Sequence, residues 1–211
     1  MIEVYDVGSL PLEADEERVL REARSIYEEG EGELFEKLVV KGLVDKLESG
    51  VTLPNYPQFR DMNEMFLEII GGIEKMGNRY YMVSETLSVV GSGELPELTV
   101  IKRHAGELRE RYGEVGVKVC VTGPYTLSHL FGYRDAALLE RLGEVLAEIT
   151  ARNVFRVKGV EVRAVSLDEP VFGLVDDPLK DKGSEGREAL LKAWERIFRA
   201  ARSKGADTII H

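Results

Sequence analysis

Two short runs, Val117 to Thr122 and Val162 to Leu167, are apolar at nearly every position and show no clean alternation between faces. A strand that is apolar on both sides must be covered on both sides, which is the condition of parallel strands sandwiched by helices.

The segments around these runs fit the same scheme. Leu138, Leu139, Leu142, Val145, Leu146 and Ile149 recur at three- and four-residue spacing and predict a long amphipathic helix from Ala136 to Phe155. Leu190, Leu191, Trp194, Ile197 and Phe198 predict another, with Arg199, Arg202 and Lys204 near its carboxyl end and Gly205 as its stop. Phe35, Val39, Leu43 and Leu47 mark a helix closed by Gly50, and Leu20, Ile26 and Tyr27 mark a more polar one before it. A fourth apolar helix is expected from about Asp61 to Met76. Further β-rich runs lie at Ile2 to Val7, Val51 to Leu53 and Thr208 to His211, with a weaker one near Leu98 to Ile101. The Ser- and Gly-rich stretch from Met82 to Pro96 reads as a loop or short hairpin.

Strands alternating with helices imply repeated βαβ units and a single α/β domain over residues 1–211. The expected fold is a (β/α)8 TIM-type barrel that is incomplete. The chain offers about six strands, where closure takes eight and typically about 250 residues.

Composition narrows the function. Lys and Arg number 28 against 38 Asp and Glu, a net charge of -10, which speaks against nucleic acid and anionic membranes as partners. No run approaches the roughly 20 apolar residues of a membrane span, and Met1 to Asp6 lacks a signal layout, so a cytoplasmic location is expected. Cys120, the one cysteine, makes neither an internal disulfide nor a Cys-rich metal site. A single glutamine, Gln58, amid many Glu, Lys and Arg fits a heat-adapted source. The phosphate-loop, dinucleotide-fingerprint, His-Glu-x-x-His, Cys-x-x-Cys and Gly-x-Ser-x-Gly motifs are all missing, which removes the kinase, dinucleotide oxidoreductase and serine hydrolase readings.

What remains gathers at the carboxyl ends of the expected strands: Gly8 and Ser9, Asn55 to Met62, Thr122 to Pro124, and Asp168 to Pro170. Ligands bind at that edge in parallel α/β folds. Carboxylates, amides and hydroxyls suit a zwitterionic small molecule, with acceptors for its ammonium and donors for its carboxylate.

Four pieces, in this order and spacing, resemble the cobalamin-independent methionine synthases and their short archaeal relatives. They are Val7-Gly8-Ser9-Leu10-Pro11, Tyr56-Pro57-Gln58-Phe59-Arg60-Asp61-Met62, Val121-Thr122-Gly123-Pro124-Tyr125-Thr126-Leu127 and Ser166-Leu167-Asp168-Glu169-Pro170. The wider superfamily includes uroporphyrinogen decarboxylase and methylcobamide methyltransferases. The resemblance implies a methyltransferase in which zinc binds the homocysteine thiol and presents it as a thiolate, the form that attacks. It implies that Ser9 meets the homocysteine carboxylate, Asp168 its ammonium, and Gln58 the substrate as well. Around Gln58 the chain is one residue shorter than the family pattern and has Pro57 in place of glycine. His211 falls where the family has the histidine of a His-x-Cys zinc pair. The family's cysteine and later ligands have no counterpart in these 211 residues. A lone histidine holds no zinc, so either the chain is the amino-terminal part of a longer enzyme or a complementary subunit supplies the rest. The implied methyl donor is a methylated corrinoid carried by a protein, since the short relatives lack the folate-binding amino-terminal domain. A methylcobamide methyltransferase with another thiol acceptor, and a non-catalytic barrel subunit, stay open.

Other assignments follow from the residues. Thr122, His129 and Glu169 are candidates for lining the mouth, although Thr122-Gly123-Pro124 also suits a tight strand-to-helix turn. Arg60 and Asp61 read as a surface ion pair or helix cap, with Asp61 capping a helix that begins near Met62. His104, among Lys102, Arg103 and Arg109, reads as solvated, and Cys120 as packed. Unpaired edges on the first and sixth strands predict self-association or a poorly ordered carboxyl end.

Overall fold

The computed structural model describes residues 3–27 and 32–211. The chain opens with an extended segment, 3–10, so the expected strand from Ile2 is present as extended chain rather than a regular strand, and Ile2 lies outside the described residues. Helix α1 (Glu16–Arg24) starts at Asp15, whose carboxylate accepts the Arg18 N–H at 2.7 Å. Helix α2 (Glu33–Glu48) follows Gly32 and has no cap of its own; Glu22 of α1 reaches across and accepts the Leu34 and Phe35 N–H groups at 2.7 and 3.0 Å.

The apolar stretch from Asp61 departs most from expectation. It gives only α3 (Glu64–Leu67) and then four short strands: β1 (Ile70–Gly71), β2 (Ile73–Met76), β3 (Arg79–Met82) and β4 (Ser88–Val89). Gly72, at φ +89° and with no room for a Cβ beside the Thr86 carbonyl, breaks the helical run. The β2 and β3 strands pair as an antiparallel hairpin, and β1 pairs with β4. The expected strand near Leu98 to Ile101 is instead helix α4 (Pro96–Arg103). Pro96 fits its first turn, and the side chain of Asn153 accepts the Leu95 N–H at 2.7 Å. A short apolar run carries no period that separates strand from helix.

After α4 come α5 (Ala105–Tyr112), β5 (Val115–Thr122), α6 (Pro124–Ser128), α7 (Ala136–Asn153), β6 (Arg156–Val157), β7 (Val160–Asp168), α8 (Glu185–Ser203) and β8 (Asp207–Ile210). Of these, α7, α8, β5, β7 and β8 stand where expected, and α5, α6 and the short antiparallel β6 add to the expected pattern. Asp135 and Ser184 cap α7 and α8. Gly143 of α7 lets α8 approach so closely that a Cβ there would lie 2.3 Å from the Ala193 Cβ.

The parallel array has five members, in chain order. Thr52 and Leu53 donate to the Val4 carbonyl, Ser9 bridges Gln58, and Asn55 bridges Lys118 of β5. Strand β5 pairs with β7, and β7 with β8. Of the six expected strands the one near Leu98 to Ile101 is lost to α4, and among the described residues β8 pairs with no strand beyond β7, so the array does not close. Val117, Val119, Val121, Val165 and Leu167 turn to the helices in one large core. Lys118, Cys120, Thr122, Ala164, Ser166 and Asp168 alternate with them and form the inner face. No helix among the described residues is long and apolar enough to cross a membrane.

Candidate active site

The inner face is polar toward the carboxyl ends of β5 and β7, where register pairs Cys120 with Ser166 and Thr122 with Asp168. Asp168 is 6% exposed, and its Oδ1 accepts the Ser166 hydroxyl at 2.6 Å. The imidazole Nδ1 of His211 stands 3.8 Å from the same oxygen. His211 extends the pairing beyond β8, donating its N–H to the Leu167 carbonyl and accepting the Glu169 N–H at 2.8 Å. The structure therefore brings Asp168 and His211 together.

Ser9 and Gln58 face each other across the first two members of the array. The Gln58 N–H donates to the Gly8 carbonyl, and Leu10 donates back to the Gln58 carbonyl at 3.0 Å. The buried Gln58 side chain donates to the Tyr56 hydroxyl at 2.9 Å, and that hydroxyl donates to the Cys120 carbonyl at 3.0 Å, linking the second segment to β5. Gly8 adopts φ +121°, and a Cβ there would strike both Asn55 and Gln58, so the close approach requires glycine.

Of the three other mouth candidates, Thr122 and Glu169 have hydrogen-bond partners of their own, whereas the buried His129 Nε2 has none. Thr122 donates to the Met62 carbonyl at 2.6 Å and ties the 60–62 loop to β5. Glu169, 5% exposed, takes four donors: the Tyr125 N–H and Trp194 indole on Oε1, and the Thr126 N–H and hydroxyl on Oε2. Burial pushes its pKa upward against the downward pull of those bonds. It anchors the start of α6, where Gly123 leaves room for its carboxylate. His129 packs edge-on against Tyr125, at 4.9 Å between ring centres, with Nε2 3.9 Å from Asp177. Burial and the Arg134 charge lower its pKa.

Two bland assignments change. Arg60 is no surface residue: its buried guanidinium meets Glu97 through two 2.8 Å bonds. His104 is bridged between Glu36 at 2.8 Å and Glu107 at 3.0 Å rather than left to solvent. Asp61 does cap, its Oδ1 accepting the Asn63 and Glu64 N–H groups.

Cys120 is the residue that sequence reasoning left out of the site. Its thiol sits on the inner face between Lys118 and Asp168. Burial first, then the Asp168 charge, pushes its pKa up to about 12, so it stays a thiol. The zinc implied by the sequence resemblance finds His211 beside Asp168 and this protonated thiol. Among the described residues no three His, Cys, Asp or Glu side chains converge to hold a metal ion, so they do not fit a zinc centre.

No family profile matches the sequence. No curated protein sequence matches it either. Among solved structures the fold is similar to a B12-independent methionine synthase from Shewanella sp. W3-18-1 in complex with selenomethionine, with a TM-score of 0.60 and 15% identity. The match covers 99% of this chain and 60% of that one. At this identity the likeness is one of fold.

Proposed function

We propose that the chain forms the acceptor-binding part of a methyltransferase that methylates a thiol, with homocysteine as the acceptor and methionine as the product. The carrying observation is Asp168: a buried carboxylate at a parallel strand's carboxyl end, with one hydroxyl donor from Ser166 and acceptor capacity left for an ammonium. The fold likeness to a methionine synthase supports the same reading. In this reading Ser9 and Gln58, on the neighbouring segments, contact the rest of the amino acid. The acceptor gives up its thiol proton, a sulfur–carbon bond forms, and the methyl–donor bond breaks with its electron pair leaving on the donor. The donor is a methylated corrinoid carried by a protein.

A second reading, a barrel subunit that binds the amino acid and takes the remaining groups from a partner chain, is favoured by the missing three-donor cluster among the described residues. Both readings share one test: calorimetric titration of L-homocysteine into wild type and Asp168→Ala, with and without added zinc. Wild type binds, and the variant binds about tenfold or more weakly, as expected for a lost charge-assisted hydrogen bond. Equal affinities would remove Asp168 from ammonium recognition.

A further inference from the structure

Lys118 is out of place by every ordinary rule. It interrupts an apolar strand, it is 3% exposed, and among the described residues its ammonium forms no ion pair with a carboxylate; its near neighbour on the strand is the Cys120 thiol. The Tyr5 ring centre lies 5.0 Å from Nζ, and the Lys46 charge is near enough to be felt. Buried lysines are ordinarily paired with a carboxylate, because an ammonium without a counter-charge in the interior is destabilising. The other buried lysine of this region obeys the rule: Lys46 binds Asp6 at 2.7 Å and the Gly8 and Asn55 carbonyls. Asp6 has its second oxygen on the Asn55 N–H, which leaves it engaged on both sides.

Position gives the unpaired charge a use. Lys118 and Cys120 are two residues apart on one strand and share its inner face, and the Cys120 thiol lies between the Lys118 ammonium and the Asp168 carboxylate. The inner face thus presents a cation, a small soft sulfur and an anion in sequence. An α-amino acid presents the complementary pair, ammonium and carboxylate, on one carbon.

The geometry points to Lys118 as a carboxylate-binding residue, opposite Asp168 across Cys120, so that the site takes the zwitterionic end of an amino acid between two buried charges. The inference rests on the amino-acid reading above and extends it. It assigns carboxylate recognition to a residue outside the four sequence pieces, where the resemblance gives that task to Ser9. It also accounts for a buried charge that fold stability alone does not favour.

The test uses three ligands that differ only at the charged end: L-methionine, L-methioninol, which lacks the carboxylate, and 4-(methylsulfanyl)butanoate, which lacks the ammonium. Each is titrated into wild type, Lys118→Met and Asp168→Asn. Lys118→Met is expected to weaken L-methionine by about tenfold to a hundredfold and to leave L-methioninol unchanged. Asp168→Asn is expected to weaken L-methionine and L-methioninol and to spare the butanoate. Lys118→Met is also expected to melt no lower than wild type, since it removes an unpaired buried charge. Unchanged L-methionine affinity in Lys118→Met, or a lower melting temperature, overturns the inference and leaves the proposed function standing. Binding of the butanoate that depends on Lys118, without binding of L-methionine, overturns the zwitterion site and the proposed acceptor with it. No binding of any of the three ligands to wild type overturns both.

Discussion

At the scale of single residues, neighbours on one strand end have opposite employment. Asp168 faces inward with one hydroxyl donor, while Glu169 is surrounded by four donors from α6 and α8. All four partners of Glu169 give protons, so an amide there would turn its NH2 group toward N–H groups. Glu169→Gln is therefore expected to destabilise the fold by about 1–3 kcal/mol, read as a lower urea midpoint at unchanged slope. The Asp-Glu-Pro tripeptide marked the place but could not divide the labour, because the donors of Glu169 come from Tyr125, Thr126 and Trp194, far away in sequence. Lys118 did leave a visible signal, one charge in an apolar strand, and so did Cys120 two residues on. Neither belongs to a motif: Cys120 reads from sequence as a packed residue, and Lys118 as a single charge in a strand.

At the scale of elements, the long helices were legible because many apolar residues repeat one period. The segments 61–76 and 98–101 were not: the second is short, and the outcome of each depends on contacts with Thr86 or Asn153 that no local pattern records. The junction of α4 and α5 carries a pH dependence of its own. Burial alone would lower the His104 pKa, but Glu107 and Glu36 outweigh it and raise it above the ordinary value. A raised folded-state pKa gives stability that is fully present below the unfolded value, about 6.5, and is lost as pH climbs through the folded one. From about pH 6 to pH 8 the wild type is expected to lose more melting temperature than His104→Gln. Parallel melting curves for the two proteins would refute the bridge.

At the scale of the whole molecule, five parallel members and an open edge explain what the outer surface shows. Val4, Val7 and Ile210 are 49%, 61% and 50% exposed, and they sit on the two outermost members of the array. Unpaired strand edges with apolar flanks invite association. The 211-residue chain is expected to associate with rising concentration in light scattering, and Ile210→Lys to reduce it; a monomer at all concentrations would count against the idea. Strand alternation made the parallel α/β arrangement legible, but the strand count came out one too high because Leu98 to Ile101 is helical. The anchoring of α6 has one more outcome. The chain has a single tryptophan, and its indole N–H is held by the carboxylate next to Asp168 in sequence. Any molecule that shifts the end of β7 alters the surroundings of that fluorophore, so the protein carries its own optical reporter of occupancy, readable without a label.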